Sequence, residues 1–144
     1  MKQVCEVRVA GTDAEVERCY PVLAQLRPHV KAEEFLERIR RQMAPGYRIA
    51  YIEVDGEVAA VAGFRLCENL FVGRFLYVDD LVTEEGRRSH GLGKQLLDWL
   101  VAYGRHNGCT SMELDSGVQR FDAHRFYLRE RMKIRSHHFS LPLQ

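Results

Sequence analysis

LYVDDLVTEEGRRSHGLG, running from Leu76 to Gly93, is the stretch that sets the fold. Leu76 and Val78, the carboxylates Asp79 and Asp80, and then Leu81, Val82 and Thr83 read as one strand, which turns through Glu84, Glu85 and Gly86. Two arginines follow. From Arg88 the spacing is Arg-x-x-Gly-x-Gly, and beyond it Lys94 to Tyr103 carries apolar residues at helical intervals. A strand feeds a glycine-rich turn, and the turn feeds a helix.

That order has a physical use. The first N–H groups of a helix have no partner within it, and the helix dipole places partial positive charge there, so anions bind such ends. Gly91 and Gly93 lack a Cβ and let a phosphate approach their amides, while Arg87, Arg88 and Lys94 add full positive charge. A pyrophosphate suits this arrangement, although glycine spacing alone is equally compatible with a tight turn that binds nothing. No Gly-Lys-Ser/Thr ending is present, and the pattern is too short for the dinucleotide fingerprint Gly-x-Gly-x-x-Gly.

Here the sequence resembles the GNAT superfamily of N-acetyltransferases, whose acetyl-CoA motif is Arg/Gln-x-x-Gly-x-Gly/Ala between a strand and a helix. Arg88, Gly91 and Gly93 match it position by position. The run Asp79 to Thr83 is similar to the family's acidic-then-apolar strand ending, and Ala123 to Tyr127 is similar to its later helix with a Phe-Tyr pair. The resemblance implies acetyl-CoA as co-substrate, no metal, and direct transfer of the acetyl group to a primary amine of a small molecule, peptide or protein. It implies that Arg87, Arg88, Ser89, His90, Gly91, Leu92, Gly93 and Lys94 hold the cofactor. Leu81, Val82 and Thr83 are expected to offer main-chain groups to the pantetheine amides. Asp122 stands where relatives often have a pantetheine-contacting Asn, but a carboxylate cannot donate that hydrogen bond.

For chemistry, the resemblance assigns Tyr127 as the acid that protonates the departing thiolate; a phenol with reference pKa near ~10 keeps its proton at neutral pH. Packing beside Phe126 is the plainer role for the same ring. Asp79 and Asp80 are successive on a strand, so they are expected to point to opposite faces, with one of them, Asp79 by preference, facing the acceptor as base or ammonium partner. A carboxylate that only orders the loop is the plainer reading. His124 lies three residues before Tyr127, and a lone helical histidine is usually structural. A non-catalytic acyl-CoA-binding module of the same fold is the alternative to an enzyme; the presence of Tyr127 favours the enzyme.

At 144 residues, 46% hydrophobic and 28% charged, the chain has the size and balance of one soluble domain, residues 1–144. The formal charge of +1 gives no global field that would favour nucleic acid or a membrane surface as partner. No signal-like apolar core opens the sequence and no run approaches the roughly 20 apolar residues of a span, so a cytoplasmic protein is expected. A homodimer is compatible with the resemblance. Cys5, Cys19, Cys67 and Cys109 form no Cys-x-x-Cys pair and are read as small packing residues.

The remaining pattern fits around the central stretch. Gln3 to Ala10 alternates as a strand, with Thr12 or Asp13 as N-cap of a helix bearing Val16, Cys19 or Tyr20, and Leu23. A helix after Pro28 presents Phe35, Leu36, Ile39 and Met43; two strands, 47–54 and 58–66, flank the hairpin signal Asp55-Gly56. A short strand at 110–114, a helix at about 119–130 and a strand at 132–141 close the chain. The order β-α-α-β-β-β-α-β-α-β supports an α/β (α+β) domain, and the resemblance makes it a twisted mixed sheet with helices on both faces.

Overall fold

A computed structural model describes residues 4–144. The chain forms two compact units, one extending to Glu113 and the other spanning Leu114–Gln144. The first expected strand residue, Gln3, lies outside the described residues.

The first unit opens with β1 (Val7–Val9), α1 (Asp13–Arg18), α2 (Tyr20–Leu26) and α3 (Ala32–Met43). It continues through β2 (Arg48–Val54), β3 (Glu57–Asn69) and β4 (Gly73–Thr83) into α4 (Leu92–His106) and β5 (Ser111–Leu114). One 3-10 turn, Glu85–Arg87, lies between β4 and α4. The five strands form one sheet in the order β1-β2-β3-β4-β5, with β1 to β4 antiparallel to their neighbours. Thr110 N–H donates to the Arg74 carbonyl at 2.8 Å, so β5 starts level with the start of β4 and follows it in parallel, as a helical crossover requires.

Local chemistry explains the boundaries. Thr12 is the N-cap of α1: its hydroxyl accepts from Glu15 N–H at 3.1 Å, and the Glu15 carboxylate accepts from Thr12 N–H at 3.0 Å, a reciprocal capping box. The segment expected as one helix is two. Pro21 stands in the first turn of α2, where its missing N–H is harmless, and it cannot continue the ladder of α1. Asp55 (φ 55°) and Gly56 (φ 78°) both lie in the left-handed region, as a two-residue hairpin of the type that matches strand twist demands.

Two cores follow from strand alternation. On one face Tyr47, Ile49, Tyr51, Val61 and Val82 pack against Val16 of α1, Cys19 at the junction, Val22 and Leu23 of α2, and Phe35 and Ile39 of α3. On the other face Phe64 meets Trp99 and Tyr103 of α4 edge-on, at 5.8 and 5.2 Å between ring centroids. The continuously apolar run Ala59 to Ala62 is fully buried because it belongs to both faces. Cys19 is buried and its thiol is pushed up to about 12 by desolvation, an inert packing group. Among the described residues no helix is long and apolar enough to cross a membrane.

The second unit holds α5 (Phe121–Arg129), which ends in a six-residue hydrogen-bonded cap. Met132 N–H donates to the Tyr127 carbonyl and Arg131 N–H to that of Leu128, both at 3.0 Å, with Arg131 itself left-handed at φ 71°. The strand expected at 132–141 does not form. Alternating residues make a strand only where a neighbour supplies ladder partners, and none pairs with this segment among the described residues; Ile134, Phe139, Leu141 and Leu143 stand exposed. His137 and His138 are therefore not on a strand; His138 lies 3.4 Å from Asp115.

Candidate functional site

Strand β3 pairs Gly63 with Asp80 but Phe64 with Val78, so Asp79 is an extra residue in β4, a β-bulge. The bulge corrects the expectation from alternation. Rather than pointing to opposite faces, Asp79 and Asp80 line one cavity of about 260 Å³, closed on the other side by α2, α3 and the segment between them.

Each carboxylate is held by an arginine. Arg65 grips Asp79 with both nitrogens, Nη2 to Oδ2 at 2.8 Å and Nε to Oδ1 at 3.0 Å. Arg27, at the C-cap of α2, donates Nε–H to Asp80 Oδ1 at 2.9 Å and Nη2–H to the Asp79 carbonyl at 2.9 Å. The Tyr47 hydroxyl donates to Asp80 Oδ2 at 2.8 Å, and the Arg65 guanidinium sits 5.4 Å from the centre of the Tyr47 ring. Burial and the charge of Asp80 push the Tyr47 phenol well above its ordinary value, so it acts as a fixed donor. Its hydrogen bonds to Asp79 raise the Arg65 guanidinium further. A carboxylate oxygen has two lone pairs, which leaves each of these oxygens able to accept from an incoming ammonium.

Gly63 makes this packing possible. A Cβ there would fall inside the Tyr47 hydroxyl and 2.7 Å from Asp80 Oδ2. Neither Gly63 nor Tyr47, Arg27 or Arg65 is singled out by the sequence motif. One signal was available: an isolated glycine inside an apolar strand marks a bulge or a close approach. The arginines come from elements distant in sequence and carried no such mark.

Past the bulge, Leu81, Val82 and Thr83 pair with Ala62, Val61 and Ala60 of β3. β5 has four residues and starts beside Arg74, so it is too short to accompany β4 that far, and the opposite edge at Leu81 to Thr83 is left without it. The chain then reaches α4 through Arg88 in extended backbone, Ser89 at φ 69°, the exposed His90, and Gly91 at φ 80°. No side chain caps α4; its ladder begins with Gln95 N–H to the Gly91 carbonyl at 3.1 Å, and the amides of Leu92 and Gly93 stand ahead of it. Leu92 contributes main chain only, its side chain being buried. Lys94 pairs with Asp98 at 3.3 Å along the helix. Arg87 turns toward the β2–β3 hairpin, 3.9 Å from Asp55 and 3.8 Å from Glu57, so its charge is shared with that hairpin.

Within the second unit Tyr127 is largely desolvated, which raises its phenol above the ordinary value against the opposing pull of Arg120. Phe126 lies 5.5 Å away, tilted. Asp122 is exposed and pairs with Arg125 at 2.7 Å in the first turn of α5. His124 Nε2 is 2.8 Å from the Gly117 carbonyl, a structural contact.

The acetyltransferase (GNAT) family profile matches residues 14–131. An uncharacterized N-acetyltransferase, YhdJ of Bacillus subtilis, is 34% identical over 109 residues, covering 75% of this chain and 77% of its own. The aminoalkylphosphonate N-acetyltransferase of Salmonella typhimurium is 32% identical over 139 residues, 90% of this chain and 86% of its own. In fold, the chain is similar to the aminoglycoside N-acetyltransferase AAC(6')-Iy in complex with CoA, with a TM-score of 0.81 at 13% identity over 97% of this chain and 96% of that one. A strand that bulges at two carboxylates and runs through a glycine turn into an uncapped helix, matched by a profile over most of the sequence, has one conclusion: the chain belongs to the GNAT family of acetyltransferases.

Proposed function

We propose that this N-acetyltransferase takes its acetyl group from acetyl-CoA held at the start of α4 and passes it to the primary amine of a small molecule seated over Asp79 and Asp80. The observation that carries the reading is the bulge in β4: one strand supplies both carboxylates of the cavity and, a few residues on, the free edge and the glycine turn. The amides of Leu92 and Gly93, with Arg88 and Lys94, would take the pyrophosphate, and the edge of Leu81 to Thr83 would pair with the pantetheine amides. Ser89, His90 and Gly91 shape that loop. Asp122, exposed and paired with Arg125 in the first turn of α5, would stand beside the pantetheine as an acceptor only. The reading treats residues 1–144 as one functional domain, supported by a family match that runs through both compact units.

In this scheme the amine enters as its ammonium, is held by the carboxylates, loses a proton toward them or to water beside them, and attacks the thioester carbonyl. Most of the acceleration comes from holding the two reactants together. When the tetrahedral intermediate collapses, the C–S bond breaks and Tyr127, still protonated at neutral pH, delivers its proton to the sulfur. Tyr127→Phe tests this directly. Turnover is expected to fall by roughly 10² to 10⁴ with acetyl-CoA affinity little changed. Parental turnover in the Phe variant, with chemistry rate-limiting, removes Tyr127 from the mechanism.

A further inference from the structure

The walls of the acceptor cavity carry both signs of charge, and beyond Arg27, which is bound to Asp80, the positive groups stand apart from the carboxylates. Asp79 and Asp80 form the floor on β4, while Arg38 from α3 and His29 from the α2–α3 segment line the opposite side. The floor carboxylates are already countered, Asp79 by Arg65 and Asp80 by Arg27. Among the described residues Arg38 has only Glu34, one turn away at 3.2 Å, as ion-pair partner, and both side chains are more than a third exposed. An exposed intrahelical pair of that kind is worth little, so an incoming anion can replace Glu34 at small cost. Two guanidinium groups, Arg27 and Arg38, thus line the cavity with two carboxylates, Asp79 and Asp80, while Arg65 and Glu34 pair with Asp79 and Arg38 from outside the lining. The balance leaves no net negative field to favour a diamine, and a simple alkylamine leaves the Arg38 side unused.

We infer that the acceptor is zwitterionic: a small primary amine carrying an oxyanion a few bonds from its nitrogen, the ammonium on Asp79 and Asp80 and the oxyanion on Arg38 with His29. This rests on the acetyltransferase reading above and names the substrate class of that site. Size agrees. At about 30 Å³ per water, a 260 Å³ cavity holds roughly nine water-sized groups, enough for a short aminoalkyl acid. The aromatic and aliphatic lining from Tyr20, Leu23 and Phe35 fits the intervening methylenes. The name of the Salmonella relative, an aminoalkylphosphonate N-acetyltransferase, describes a substrate of this class.

The test measures thiol release from acetyl-CoA by the full chain with 2-aminoethylphosphonate, β-alanine, propylamine, 1,4-diaminobutane and a lysine tripeptide. At least one of the two amino acids is expected to exceed propylamine and the diamine in kcat/KM by about 10- to 100-fold, the range of one or two charge-assisted hydrogen bonds. Arg38→Gln is expected to shrink that ratio at least tenfold, mainly through KM, whereas Arg41→Gln, whose side chain pairs with Glu37 outside the cavity, leaves it unchanged. Turnover of propylamine, the diamine or the peptide at equal or greater kcat/KM overturns the zwitterion and leaves the acetyltransferase standing. So does an unchanged ratio in Arg38→Gln. A protein inert toward every amine overturns the acetyltransferase reading and this inference with it.

Discussion

The Tyr47 hydroxyl donates to Asp80 Oδ2 at 2.8 Å in the space that a side chain on Gly63 would occupy. Three residues from three strand regions thereby fix the direction of one carboxylate, and the bulge at Asp79 puts the second beside it. Gly63→Ala forces Tyr47 and Asp80 apart. It is expected to destabilise the protein by about 1–3 kcal/mol through overpacking and to raise KM for the amine, with acetyl-CoA affinity retained. Urea midpoints and steady-state kinetics check both; a variant with parental KM shows that the pair does not position the acceptor.

Gly91 heads α4 in left-handed backbone at φ 80°, a conformation that a β-branched residue scarcely adopts. Acetyl-CoA at a hundredfold excess over its Kd is expected to stabilise the parent by about 2.7 kcal/mol. Gly91→Val is expected to lose most of that thermal shift while keeping a folded circular dichroism spectrum. An undiminished shift in the folded variant means that the loop does not hold the cofactor.

Glu15 accepts hydrogen bonds from Gly11 N–H, from Thr12 N–H and hydroxyl, and from the Tyr51 hydroxyl, and these pull its carboxyl down to about 2. A group whose folded pKa is depressed contributes stability that is fully present above its unfolded pKa, near ~4.3, and lost as pH falls through the folded value. Glu15→Gln is therefore expected to show a stability deficit that is constant from neutral pH down to about 4.5 and then narrows toward about 2. Denaturant midpoints at several pH values check it, and a deficit independent of pH contradicts it.

Much of the fold was legible because its signals are local. Asp55-Gly56 marks a tight hairpin turn, Thr12 or Asp13 marks the start of α1, where the structure selects Thr12, and Leu92, Leu96, Leu97 and Leu100 mark one helical stripe. The glycine turn was legible for the same reason, since a strand, a glycine turn and a helix are consecutive in sequence. The cavity at Asp79 and Asp80 was not. Its geometry depends on one residue of slippage between β3 and β4, which inverts the reading of Asp79 and Asp80, and on Arg27, Tyr47 and Arg65, which arrive through tertiary packing. The segment 132–141 failed in the opposite direction: alternation specifies a face, and a face needs a neighbouring strand.

Arg131 occupies the left-handed cap position that glycine takes most readily, and the cap it completes uses the Tyr127 carbonyl. Relieving the Cβ contact by Arg131→Gly is expected to stabilise the protein by about 1 kcal/mol, partly offset by the greater freedom of glycine in the unfolded chain. A rise in denaturant midpoint checks it. A fall by a similar amount indicates that the Arg131 side chain, rather than its backbone, holds the end of α5.

The central claim is direct transfer of acetyl from acetyl-CoA to an amine. It is tested by quantifying free thiol and N-acetylated product together when the protein is incubated with acetyl-CoA, with and without an acceptor such as 2-aminoethylphosphonate or a member of the amine panel. The account predicts that thiol and acetylated amine form one to one, only when both substrates are present, and that the protein's mass is unchanged by acetyl-CoA alone. Stoichiometric acetylation of the protein itself before any amine is added, or failure of every amine to yield an acetylated product, would contradict it.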